Sequence, residues 1–199
     1  EEQKHFFNSA HAPAFQADAV KVNAALKKLS AKKLMDLQGI SADLAAQNRE
    51  RNIVFNTQPQ AQIYQQAVFM FNGDAYLGLD AATLSPKALD FAQQHLRILS
   101  GMYGLLKPLD FVEPYRLEMG TQLKVGRAQN LVAFWQKKVT AQLKSEFSAE
   151  PIVNLASAEY AKAVLFKSLK NSVINVEFKD RNAAGEYKVM SYYAKRARG

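Results

Sequence analysis

At 199 residues with 48% hydrophobic content, the chain is long enough to bury a substantial core and of a size that suits one domain spanning residues 1–199. Its 26 Lys and Arg against 18 Asp and Glu leave a net charge of +8, a balance suited to polyanionic partners such as nucleic acid. Zero cysteines exclude disulfides, thiolate zinc sites, iron–sulfur clusters and cysteine nucleophiles.

The start, EEQKHFFNSAH, has neither the basic flank nor the apolar core of a signal peptide, and no apolar run reaches membrane-span length. The sequence therefore reads as that of a cytoplasmic protein with no membrane partner. Over residues 18–29 Val22, Ala25, Leu26 and Leu29 recur at helical spacing, and Ser30 is placed to cap a second helix through Leu34 and Leu37. The segment Leu37-Gln38-Gly39-Ile40-Ser41 follows, and then a helix carrying Asn48, Arg49, Arg51 and Asn52. Residues 30–52 thus match a helix-hairpin-helix pattern. In that pattern Gly39 permits positive φ, Ser41 caps the next helix, and backbone N–H groups at Gly39 and Ile40 meet a DNA phosphate. Ser41 replaces the usual second glycine and Asp43 puts an acid in the first turn, so an ordinary corner between helices fits the same residues.

Residues 53–55 read as extended and residues 60–71 as a helix, before the turn signal Asn72-Gly73-Asp74. Ser85-Pro86 supplies a cap and first-turn proline for a helix over residues 87–94. Leu96, Ile98 and Leu99 form a buried strand that breaks at Ser100-Gly101 into a loop rich in glycine, proline, tyrosine and charge. Little of that loop is expected to be core, and Lys107, Tyr115 and Arg116 become candidate cleft residues: the cations for phosphate, with Arg97 beside them, and the tyrosine faces for bases. Equally, Arg116 can pair with Asp110 or Glu118 to pin the loop. Beyond it, Asn130 caps a long helix whose Trp135 is a core anchor, and residues 152–155 read as a short buried strand. Ser157 starts a further helix, while residues 173–179 and 186–193 alternate as strands around a hairpin loop at 180–185. Lys195, Arg196 and Arg198 close the chain as a basic cluster beside Tyr192 and Tyr193.

No nucleotide-type Gly-rich loop, G-x-S-x-G elbow or H-E-x-x-H motif is present, so no catalytic set, cofactor or metal site can be read from the residues. The spacing of Glu2 and His5 echoes half of a di-iron set without its second pair. The fold class read from these elements is mixed α/β (α+β), with few, scattered strands among helices.

The blocks LRILSGMYGLLKPLDFVEPYRLEMG (96–120), FNGDAYLGL (71–79), INVEFKD (174–180), YKVMSYYAKRARG (187–199) and VNLASAEYAKAV (153–164) resemble the signature blocks of the YaaA family of bacterial peroxide-stress proteins. The resemblance covers nearly the whole chain and implies a distinctive α/β fold with central strands, a helix-hairpin-helix element and a positively charged cleft. It also implies a protein of the oxidative-stress response that binds duplex or repair-type DNA and helps to limit free iron. Family members extend at both ends, so the expectation is a chain lacking terminal elements, including a first strand. Gly39, Ile40, Ser41, Arg49, Arg51, Lys107, Tyr115, Arg116, Lys195, Arg196 and Arg198 are the expected DNA contacts, mostly to the backbone and with low sequence specificity. Two rivals stay open: a glycosylase-like enzyme holding a flipped base in the 101–118 loop, and an interaction scaffold in repair.

Overall fold

A computed structural model of the chain describes residues 11–55, 64–181 and 185–199. Helices α1 (Gln16–Leu26), α2 (Ala31–Gln38) and α3 (Ala42–Val54) open it. The Ser30 hydroxyl accepts from the Lys33 N–H at 3.3 Å and the Ser41 hydroxyl from the Leu44 N–H at 3.3 Å, so each cap satisfies a donor that its helix cannot. Asn23 of α1 donates its amide to the Asn52 carbonyl at 2.9 Å and fastens α3 against α1. Ile53 and Val54, read as extended, are helical: α3 runs through Val54 and only Phe55 leaves the helix, with Lys27 donating to the Ile53 carbonyl near its end at 3.1 Å.

The expected helix over residues 60–71 begins outside the described residues and is shorter where it is seen. Gln65–Gln66 form strand β1, and helix α4 covers Ala67–Met70. Helix α5 (Asp74–Leu79) follows the Asn72-Gly73 turn, and α6 (Pro86–His95) starts at Ser85, whose hydroxyl accepts from the Ala88 N–H at 3.2 Å. Strands β2 (Ile98–Ser100) and β3 (Gly104–Leu106) form a tight antiparallel hairpin, and β4 (Phe111–Val112) pairs with β1. The long helix α7 (Leu131–Glu146) is capped by Asn130, whose side chain accepts from the Ala133 N–H at 2.9 Å. Strand β5 (Ile152–Asn154) pairs in parallel with β6 (Val173–Asn175), with α8 (Ala158–Ala161) between them in sequence. It is not the buried strand read from sequence: Val153 is 52% exposed. β7 (Asp180–Arg181) pairs with β8 (Tyr187–Lys188), and α9 (Ser191–Arg198) ends the chain. The fold is mixed α/β, its strands paired two by two among the helices.

One core binds α1, α2 and α3 to the β2–β3 hairpin and α7. At its centre Trp135 is fully buried, donates Nε1–H to the Gly101 carbonyl at 2.8 Å and lies against Phe15 and Phe134. The expectation that little of the stretch after Ser100 is core is overturned, since Met102, Tyr103 and Val112 are fully buried and Leu106 nearly so. The glycines there serve close approach: a Cβ on Gly101 would fall 2.4 Å from the Leu117 carbonyl oxygen, and one on Gly104 would fall 2.5 Å from the Trp135 ring.

Candidate nucleic-acid interface

The turn between α2 and α3 has the backbone of a left-handed helix stop. Gly39 adopts φ 61° and its N–H bonds back to the Met35 carbonyl; the Ile40 N–H reaches the same oxygen at 3.3 Å. Those two N–H groups close α2, so they are not the phosphate donors that the sequence pattern suggests. The first-turn N–H groups of Ala42 and Asp43 have no acceptor among the described residues. Gly39 and Ser41 are exposed, whereas Ile40 is half-buried against the core. Asn48 and Asn52 are turned inward, 2% and 5% exposed. Arg49 is exposed and sits 3.5 Å from Glu50, an ion pair of little energetic weight at such exposure. Arg51 is half-buried in the last turn of α3. Two residues apart on a helix, the two arginines do not share a face.

In the central stretch the polar groups mostly satisfy one another. Tyr115 packs edge-on to Phe71 and Tyr103, and its hydroxyl lies 2.7 Å from the Ser100 hydroxyl. Tyr103 accepts from the Glu113 N–H at 3.0 Å, and Tyr64 donates to the Glu113 carboxylate at 3.0 Å. Burial pushes the Tyr64 phenol up to about 12, with the Glu113 carboxylate adding to the shift, and pushes Tyr103 and Tyr115 above their usual value. These phenols stay protonated at neutral pH, and Tyr64 is the donor to the Glu113 carboxylate. No sequence signal points to the Tyr64–Glu113 pair, which joins residues 49 apart.

Arg97, a candidate phosphate ligand by type, is instead a clamp: it ion-pairs with Glu146, donates to the carbonyls of Gln93, Gln94 and Leu96, and lies over the Phe147 ring. Lys107 is half-buried, its charge acting on both Asp110 and Glu146. Arg116 is exposed and its guanidinium stands 3.6 Å from Glu118. Lys195, Arg196 and Arg198 lie on a helix and not at a strand end, because the alternation over residues 186–193 gives only β8 before Met190 starts α9. Lys195 and Arg196 are exposed and Arg198 half-buried, with no carboxylate at ion-pair distance among the described residues. The helix sits tightly on α5, where a Cβ on Gly78 would lie 2.1 Å from the Arg196 carbonyl oxygen. The predicted cations thus fall on separate elements, α3 against α1 and α9 against α5.

Asp110 is 5% exposed, and its carboxylate accepts from the Lys107 N–H at 2.8 Å. Burial holds its carboxyl above the usual value, against that hydrogen bond and the charges of His11, Lys107 and Arg97. In the unfolded chain the group ionises near pH ~4. Its contribution to stability is therefore full below that pH and is lost as pH rises through the higher folded value. Asp110→Asn keeps an acceptor for the Lys107 N–H and should match or exceed the parent in urea at neutral pH, with a flatter acid-to-neutral profile. Asp110→Ala should lose about 1–3 kcal/mol by stranding the N–H. A steeper profile in the Asn variant would contradict this account.

Among the described residues no cluster of His, Asp and Glu could hold a metal ion, and no helix is long and apolar enough to cross a membrane. Glu2 and His5 lie outside them.

Fold and surface together define a basic protein of mixed helix and strand whose candidate cations are spread over separate elements, among them α3, α9 and the central stretch. The sequence profile described as peroxide stress protein YaaA matches residues 1–199. A UPF0246 protein of Polynucleobacter necessarius is 45% identical over 190 residues, 94% of this chain and 73% of the relative. Another from Shewanella amazonensis is 47% identical over 176 residues, 87% of this chain and 68% of the relative. A third, from Delftia acidovorans, is 44% identical over 192 residues, 94% and 73% of the two chains. The chain belongs to the YaaA peroxide-stress family.

Proposed function

We propose that this protein acts in the cytoplasm in the response to peroxide, binding duplex or repair-type DNA through its backbone and so helping to limit iron- and peroxide-driven damage. The observation that carries the reading is the α2–α3 corner. Gly39 in the left-handed region turns the chain so that α3 begins on a Ser41 cap, with the Ala42 and Asp43 N–H groups left for an anionic oxygen and Arg49 along the same helix. Asp43 weakens that end, so cations elsewhere share the load: Arg116 on the central stretch and Lys195, Arg196 and Arg198 on α9. The net charge of +8 supports the same partner. Contacts of this kind read phosphate and not base edges, so sequence specificity is low.

Fluorescence anisotropy with labelled duplexes tests this. If about five phosphates are neutralised, log affinity falls with log salt at a slope near −4 to −5, with little difference between unrelated sequences. A flat salt response would remove the proposal. Gly39→Val should weaken binding even at low salt. No atom lies within 4 Å of a Cβ there, so the cost is the φ of 61° alone, about 1–3 kcal/mol of local strain that re-aims the start of α3. Arg49→Ala should mainly flatten the slope by about one unit. A Gly39→Val protein with parental circular dichroism and parental DNA affinity would make the turn a plain corner. Arg116→Ala should lower affinity with the melting temperature within about 1–2 °C of the parent, because its exposed partner Glu118 adds little stability. A sharp drop in melting temperature with unchanged binding would make Arg116 a pin.

A further inference from the structure

We propose that the groove between α1, the end of α2 and the 122–126 loop is a docking site for an acidic, amphipathic peptide segment of a partner protein. The groove has a volume of about 540 Å³, and none of the residues assigned above to DNA lines it. Its floor is apolar: Leu29 after α1, Leu37 near the end of α2, and Leu123 from the loop. Its rim is cationic: Lys21, Lys28 and Lys124, with no Asp or Glu among the lining residues. Lys21 is partly answered by Asp18 at 2.8 Å. Lys28 and Lys124 are exposed and have no ion-pair partner among the described residues, so the unanswered charge of the groove is theirs.

That combination selects a peptide over nucleic acid. A phosphodiester strand could use the lysines but would cover the leucines without gain, and the lining residues offer no aromatic ring on which a base could stack. A chain with carboxylates and apolar side chains in close succession uses both surfaces at once, the apolar groups supplying affinity and the carboxylates register and approach rate. Local geometry keeps the groove open. Lys21 and Lys28 are seven residues apart and stand on one side, with small Ala24 and Ala25 between them. The loop wall is set by Gly126 at φ 57° and by the Val125–Ala128 bridge. This site does not depend on the DNA reading.

The test uses a short fluorescein-labelled peptide of consecutive aspartates followed by leucines, with one control carrying serines for the leucines and another lysines for the aspartates. Lys28→Glu with Lys124→Glu, and separately Ala24→Phe to fill the floor, are compared with the parent; all three positions are exposed or half-exposed, and melting temperature checks the fold. The expected result is that the acidic peptide binds with either control at least ten times weaker. Each variant should lose at least tenfold in peptide affinity, and Ala24→Phe, which alters no charge, should leave duplex DNA affinity changed less than twofold. Peptide binding weaker than about 1 mM would overturn the proposal. Equal binding of the serine control would also do so. So would a loss of DNA affinity in the double variant as large as its loss of peptide affinity, which would make the groove a nucleic-acid surface. A change of oligomeric state in the double variant without peptide binding to the parent would make a second copy the occupant and overturn it as well.

Discussion

Gly104→Val is expected to remove a large part of the protein's stability. Gly104 sits at φ 72°, in the region that L side chains avoid, and its Cα faces the Trp135 indole. A Cβ there would stand 2.5 Å from Trp135 Cε3 and 2.7 Å from Cζ3, well inside van der Waals contact. The left-handed backbone costs about 1–2 kcal/mol for a non-glycine residue, more for a β-branched one. Forcing the indole aside adds about 1–3 kcal/mol of overpacking. Trp135 cannot yield freely, because its Nε1–H is tied to the Gly101 carbonyl at 2.8 Å and Phe15 and Phe134 pack against it. The sum, about 2–5 kcal/mol, is a large part of a typical domain's 5–15 kcal/mol. Urea denaturation followed by circular dichroism measures it, and Trp135→Leu in the same chain should recover part of the overpacking share while the backbone share remains. A Gly104→Val protein within about 0.5 kcal/mol of the parent would show that the hairpin can move off the indole.

The features legible in the sequence are those decided within one turn of chain. Ser30, Ser85 and Asn130 each satisfy an N–H group three residues on, so the start of α2, α6 and α7 could be read from neighbouring letters. The left-handed Gly39 is of the same kind, whereas Trp135 was legible as an anchor from its size and apolarity and not from its neighbours, since it bonds Gly101 34 positions away. The central stretch was legible as the organising segment but not as core. Gly101 and Gly104 look like loop glycines until the Leu117 backbone and Trp135 ring that press on them are known, and tyrosine is a residue whose burial composition does not fix. The clamp of Arg97 on Glu146 spans 49 positions, so an arginine suited to phosphate proved committed within the fold. The 186–193 alternation was true for β8 alone, since Ala194 to Arg198 are good helix formers and the tertiary seat on α5 lets them fold as α9. As for the candidate site, sequence could name exposed cations such as Arg49, Arg116 and Lys195, but not that Arg51 turns away from Arg49 or that Lys107 faces acids.

Gly78→Leu should release α9 while leaving the main core folded. The helix has 8 residues, too short to persist alone in water, and Ala194 is its buried residue. It is held by close approach to α5, where a Cβ on Gly78 would lie 2.1 Å from the Arg196 carbonyl oxygen and 3.0 Å from its carbon. The obstacle is backbone, which cannot rotate aside as a side-chain tip would, so the helix must move as a body. Limited trypsin digestion should then cut after Lys195 and Arg196 on the order of ten times faster, because cleavage follows the opened population. Far-ultraviolet dichroism should lose signal of about that helix's length, and the main urea transition should shift little, since the Trp135 core is untouched. The DNA reading adds a second consequence. If Lys195, Arg196 and Arg198 meet phosphates only when α9 is seated, the salt slope falls by up to about one unit for each phosphate no longer neutralised. Replacing the three cations by alanine should reproduce that fall without the change in trypsin sensitivity at neighbouring sites. Unchanged digestion in Gly78→Leu would mean that α5 and α9 absorb the larger side chain without unseating the helix. Unchanged DNA binding with faster digestion would confine the phosphate contacts to α3 and Arg116.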